Sequence, residues 1–303
     1  MTAEGLGDLF DLLLELRGLV IEDRFVLQSL YGFGGHGYLW LTDDRLNAEQ
    51  PVLTRLAALP YHRPAYMTDA DIVRARSRLE REAQLLARFG GDGQRGLPKM
   101  IALCRGPNPL HLSERGTSIT QTEPYLVMEW IPGPTLAERR VELASGLPAT
   151  WPDLLTLARL TTTALIDLSR TLLPQGYLYA DVTPRNLLCQ ELAGGVAVRV
   201  VDPGGIVPVG PAQNVELPCT WGYLPPEHYA AHQAGERVWP SEASVMHALG
   251  RTLWHVLTGR HPVPGEDVDL GDSALKECPE AIVAFVDALL AGRFARRNGV
   301  GSN

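Results

Sequence analysis

A chain of 303 residues, 45% of them apolar and 20% charged, is long enough to bury a large core without disulfide or metal staples. Its formal net charge of −8 argues against a nucleic-acid partner, because neutralising phosphates takes a basic surface. No apolar run reaches membrane-helix length, Glu4 and Asp8 stand where a signal peptide carries positive charge, and the four cysteines and eight histidines lie scattered without metal-ligand spacing. A cytoplasmic protein with no membrane span, zinc site or disulfide framework is expected.

In chain order, residues 6–17 put Leu6, Leu9, Phe10, Leu13 and Leu16 on one side of a helix closed by Gly18. This segment, within 1–20, is expected to pack on the body of the domain. Residues 24–31 and 38–42 read as strands flanking a glycine turn, and 51–57 as a third strand. Thr68 and Asp71 form a capping-box start for a charged helix running to about Phe89, broken by the four glycines of 90–96. Strand-like segments follow at 99–104 and 124–130, separated by a polar loop containing Pro107, Asn108 and Pro109.

Beyond Pro132 and Gly133 the character changes. Residues 153–173 predict a long helix, 186–189 and 196–202 short strands, then a Gly/Pro-rich loop, and helices near 242–258 and 279–291. A strand-rich first third before a helix-rich remainder predicts an α+β chain of two lobes, 21–130 and 131–303, with the seam at 130–133.

Several short motifs carry chemistry. Residues 32–37 (Gly-Phe-Gly-Gly-His-Gly) satisfy G-x-G-x-x-G between two strands, the setting of a flap over phosphates rather than of a dinucleotide turn. Asp181 and Asn186 stand five apart on a loop between a helix and a strand. A short strand ends in Asp202-Pro203-Gly204, and residues 219–227 read Cys-Thr-Trp-Gly-Tyr-Leu-Pro-Pro-Glu. Taken singly, each also fits a turn or an Asx-rich loop.

Together and in this order they resemble the protein kinase superfamily, closest to bacterial Ser/Thr kinases of eukaryotic type, over roughly residues 21–297. The resemblance implies a bilobal fold that binds ATP and Mg²⁺ and phosphorylates a protein partner. It casts Asp181 as the acceptor of the hydroxyl proton, with Asn186 and Asp202 as metal ligands. It casts Gly32, Phe33, Gly34, Gly35 and Gly37 as the flap, and Leu39, Met128, Glu129, Ile131 and Leu188 as the remaining nucleotide contacts. Glu227 would pair with Arg297.

The pattern also breaks. The family's third-strand lysine aligns with Arg55, and of 27 basic residues only Lys99 and Lys276 are lysines. Glu82 fits the family's helix glutamate and could pair with Arg55, although a planar, forked guanidinium is no neutral replacement for an ammonium. Leu53 stands for the alanine that covers adenine, Ala180 for an arginine that receives a phosphorylated loop, Pro203 for a core phenylalanine, and Val245 for an aspartate that braces the catalytic loop. Three readings follow: an atypical kinase with Arg55 in the lysine's role, a pseudokinase that binds nucleotide or scaffolds, and a small-molecule kinase.

Overall fold

The computed structural model describes residues 14–34, 37–57, 68–90, 96–108, 122–145, 150–212, 217 and 220–293. The chain divides into two compact units, residues 1–93 with 98–130, and 94–97 with 131–303. Among the described residues no helix is long and apolar enough to cross a membrane.

The first unit is one antiparallel six-stranded sheet and a helix. Its strands are β1 (Val20–Ile21), β2 (Phe25–Gly34), β3 (Gly37–Asp44), β4 (Val52–Leu56), β5 (Met100–Pro107) and β6 (Thr122–Glu129), in the order β1-β2-β3-β4-β6-β5. Phe25, Leu27, Trp40, Val52, Leu56, Tyr125 and Val127 form the core of this sheet, and Leu16 is buried with them. Most of the expected helix over 6–17 lies outside the described residues.

Helix α1 (Asp69–Phe89) begins where the sequence says: Thr68 caps the Asp71 amide and the Asp71 carboxylate answers at Thr68 N, each at 3.2 Å. It stops at Gly90, where a Cβ would lie 2.4 Å from Pro98 O and 2.6 Å from Leu86 O. Its buried side chains (Leu79, Glu82, Ala83, Leu85, Leu86 and Phe89) all fall in the second half. The first half therefore has little apolar grip on the sheet.

The second unit is mainly helical: α2 (Leu136–Ser145), α3 (Trp151–Leu172), α4 (Pro226–Gln233), α5 (Glu242–Thr258) and α6 (Glu280–Leu290). Helix α5 is its axis, with every residue from Ser244 to Thr258 except Met246 buried. A helix covered on all sides is a core element rather than an amphipathic surface one. Short strands β7 (Tyr177–Tyr179) and β10 (Ile206–Pro208) pair, as do β8 (Leu187–Leu192) and β9 (Gly195–Val200). Helix α2 is an addition to the sequence reading, and it carries its own signal. Thr135 and Glu138 form a capping pair, with Glu138 Oε2 accepting from Thr135 N at 2.7 Å.

Candidate active site

In the first unit the β2–β3 hairpin carries the glycine motif, with Phe33 opposite Tyr38 and Gly34 opposite Gly37. Gly35 and His36 lie outside the described residues. Gly37 has φ +132°, and a Cβ there would lie 2.0 Å from Leu56 O, so no other residue fits against β4. Phe33 is exposed.

The next strand places Leu39 opposite Arg55. Arg55 Nη1 meets Glu82 Oε2 at 2.5 Å, with the two side chains 5% and 1% exposed. Glu82 Oε1 lies 3.4 Å from Arg78 Nε, one helical turn back. Two guanidiniums thus share one buried carboxylate. Arg78 was missed in the sequence, although its i, i+4 spacing from Glu82 was legible there.

Leu53 and Met128 face each other across β4 and β6, both buried. The Glu129 amide is committed to Lys99 O at 2.8 Å, and its carboxylate accepts from Lys99 N at 2.9 Å. That N–H is therefore not open to a ligand.

In the second unit, Ile131 and Leu188 are buried, and Leu188 bridges to Thr135. Asp181 and Asn186 belong to one tight loop after β7. Asn186 Nδ2 donates to Asp181 Oδ2 at 2.8 Å and to Asp181 O at 3.1 Å. The other carboxylate oxygen, Oδ1, accepts from the Thr220 hydroxyl at 2.7 Å. Asp181 is 5% exposed, so these donors matter: a buried carboxylate needs partners.

Asp202 ends the run from β9. Its Oδ1 accepts from Gly204 N at 3.1 Å, an Asx turn that bends the chain back. The bend brings Gly205 against the loop: Ala180 N donates to Gly205 O at 2.8 Å, and Val201 N to Asn186 O at 3.0 Å. A Cβ on Gly205 would lie 2.6 Å from the Tyr179 ring and 3.1 Å from Asp181 Cβ. Only glycine lets the two acidic segments approach this closely.

Val245, which replaces the bracing aspartate, is buried and has no polar group to offer. Seven residues on, and so on the same face of α5, Thr252 donates its hydroxyl to Val182 O at 3.0 Å. The loop is braced from α5 after all, by another residue. Arg297 and Cys219 lie outside the described residues. Glu227 is exposed in the first turn of α4.

An antiparallel sheet with one helix, followed by a helical unit whose loops carry paired Asp–Asn and Asp-x-Gly elements, is a protein-kinase fold. No protein-family model and no curated protein matches the chain. Among solved structures, the kinase domain of Mycobacterium tuberculosis PknI is similar over 91% of this chain and 90% of that one, with TM-score 0.57 and 17% identity. At that identity the likeness carries the fold and leaves the chemistry to the residues.

Proposed function

We propose that this chain is an atypical protein kinase, transferring the γ-phosphoryl group of Mg-ATP to a Ser or Thr hydroxyl of a protein. The observation that carries the reading is Asp181: buried, and gripped at both carboxylate oxygens by Asn186 and Thr220. Those two bonds fix the plane of the carboxylate, so that it can take the proton of an attacking hydroxyl at a set angle.

The donor set also fits a magnesium–nucleotide. Asn186 commits its amide nitrogen to Asp181, which leaves the amide oxygen as a hard donor on the opposite side. Asp202 supplies a second hard oxygen. Among the described residues no three His, Cys, Asp or Glu side chains form a metal cage. Mg²⁺ suits such a site because it prefers one or two protein oxygens plus substrate phosphates. When bound, Mg-ATP supplies the transferred group and neutralises charge developing on its oxygens. Arg55, held by Glu82, and the glycine hairpin would hold the phosphates.

A pseudokinase reading is favoured by one observation. Arg55 already holds Glu82 at 2.5 Å while only 5% exposed. Labelled ATP incubated with a generic protein acceptor and with a panel of small alcohols separates the readings. Transfer to protein supports the proposal, and transfer to an alcohol alone replaces it with a small-molecule kinase. Tight nucleotide binding without transfer gives the pseudokinase. Mg-ATP at about 100 times its dissociation constant should stabilise the chain by ~2.7 kcal/mol.

A further inference from the structure

The first half of α1 has no buried side chain, and only Ile72 and Ala75 make partial apolar contact with the core. A helix end so weakly anchored would ordinarily fray. Here a charged anchor replaces the missing apolar one. Arg76 Nε and Nη2 donate to Glu123 Oε2 and Oε1 at 2.8 and 2.5 Å, a two-pronged pair to a carboxylate that is only 1% exposed and sits on β6. Two residues on, Arg78 reaches Glu82 Oε1 and leaves Oε2 to Arg55. The contacts form a ladder of two separate rungs along the helix: Glu123 with Arg76, and Glu82 with Arg78 and Arg55.

We infer that Arg76 and Arg78 are positioning residues. Arg76 holds the first half of α1 to the sheet and Arg78 orients the Glu82 carboxylate, so that the Arg55–Glu82 pair forms within the first unit with no activating event. The physics follows from burial. Glu123 and Glu82 are both carboxylates withdrawn from water, and each is tolerable only with its arginine in place. Moving the helix end off the sheet would strip Glu123 of both donors at once, so the assembled arrangement is strongly preferred. Ala180 agrees with this, since it stands where the resemblance would put an arginine that receives a phosphorylated loop.

The inference rests on the kinase reading for its consequence on nucleotide, and on the first unit alone for its geometry, so two readouts are needed. The first is amide hydrogen exchange across 69–89 in the nucleotide-free chain. Arg76→Gln should speed exchange over 69–82 by tenfold or more and Arg78→Gln, which loosens only an i, i+4 pair, by about two- to threefold near Glu82, while β3 and β4 amides stay at wild-type rates. The second is Mg-ATP affinity by titration calorimetry. Arg78→Gln should weaken it five- to tenfold, Arg78→Lys should recover most of that loss, and adding Arg78→Gln to Glu82→Gln should cost less than a further twofold, because Arg78 acts through Glu82. Should a variant fail to fold, the charge-swapped Arg76→Glu/Glu123→Arg pair keeps the anchor testable, and it should restore wild-type protection. Wild-type exchange rates in both single variants would overturn the ladder. So would a full, additive affinity loss from Arg78→Gln in the Glu82→Gln background. A chain that binds no nucleotide, yet shows the faster exchange in both variants, keeps the ladder and sinks the kinase reading instead.

Discussion

The two units secure themselves differently. In the first, buried carboxylates are met by arginines: Asp44 by a one-third exposed Arg24 at 2.7 and 2.6 Å, Glu82 by a buried Arg55 at 2.5 Å, and Glu123 by a one-quarter exposed Arg76 at 2.8 and 2.5 Å. In the second, the arginines of the ion pairs are 29% to 76% exposed and Asp272 is the one buried carboxylate among their described partners, while the interior is tied by side-chain donors aimed at backbone carbonyls. Arg251 Nη2 reaches Val263 O and Glu266 O, both at 2.8 Å, Thr252 reaches Val182 O, and Trp254 reaches Asp269 O at 3.0 Å. A buried ion pair fails abruptly, because losing one partner strands a charge at a cost of about 3–5 kcal/mol. Losing one donor to a carbonyl costs about 1–3 kcal/mol. The proposed proton acceptor, a buried carboxylate held by neutral side-chain donors, lies in the second unit, and the proposed phosphate contact, a buried ion pair, lies in the first.

The largest effect is expected at Asp181. Asp181→Asn removes the proton acceptor but leaves Asn186, Thr220 and the loop bonds in place, so turnover should fall by ~10²–10⁴ while nucleotide affinity changes little. Asp202→Asn should lower metal-dependent affinity as well, since it replaces a charged ligand. Steady-state assays with labelled ATP, beside calorimetry with and without Mg²⁺, distinguish the two. Equal turnover in wild type and Asp181→Asn would mean that Asp181 is not the proton acceptor or that a contaminant supplies the signal.

Next comes the charged unit. Arg55→Ala and Glu82→Ala should each cost ~10²–10³ in turnover, and the double variant little more, because the residues act as one group. Arg55→Lys should retain or raise activity by presenting a compact charge on the same strand. If both alanine variants stay within about twofold of wild type in affinity and turnover, the pair leaves the site and the reading rests on Asp181, Asn186 and Asp202.

Much of this was legible locally. The Thr68–Asp71 cap, the stop at Gly90 and the Asp181–Asn186 spacing are all encoded within a few residues. The partnership of Arg55 with Glu82 was legible only through the family resemblance. What escaped was non-local or too short. Thr220 lies inside the 219–227 motif, but its bond to Asp181 across 39 residues is not written there, and Thr252, which meets Val182 across 70, has no motif around it. Strands β7 and β10 span three residues each, too few to display alternation. Helix α2 had its capping pair, but only Leu136 along it is buried, so it lacked the apolar stripe that marks a helix.

A smaller effect is expected from the brace on α5. Thr252→Val keeps the shape and removes the donor, leaving Val182 O unsatisfied in the interior at a cost of ~1–3 kcal/mol. Turnover should drop by less than tenfold with nucleotide affinity unchanged, and Thr252→Ser should recover it. An unchanged melting temperature in Thr252→Val would show that Val182 O finds another donor and that α5 does not hold the loop.

The smallest effect separates the units by pH. His247 Nδ1 lies 3.0 Å from Leu290 O and His255 Nδ1 lies 2.8 Å from Arg260 O; as carbonyls only accept, each ring donates there. Both Nε2 atoms are buried without a partner, so protonation would add an N–H with nowhere to go. Burial, first of all, holds both histidines below their ordinary value. Arg251 pushes His247 the same way, against Glu227 and Asp267, while His261 and Arg140 push His255 down. A depressed folded value means that the unfolded chain binds more protons. Stability is therefore complete above the unfolded value, about 6.5, and falls as pH drops below it, by at most ~1.4 kcal/mol per pH unit for each histidine. The first unit has no histidine among its described residues. Between pH 7.5 and 5.5, exchange corrected for its intrinsic pH dependence should thus accelerate in α5 and α6 and hold steady in β2–β4. Replacing His247 and His255 with glutamine should flatten the acid response of the helical unit. Equal acceleration in both units, or an undiminished response in the double variant, would place the acid-sensitive groups elsewhere and erase this difference between the two interiors.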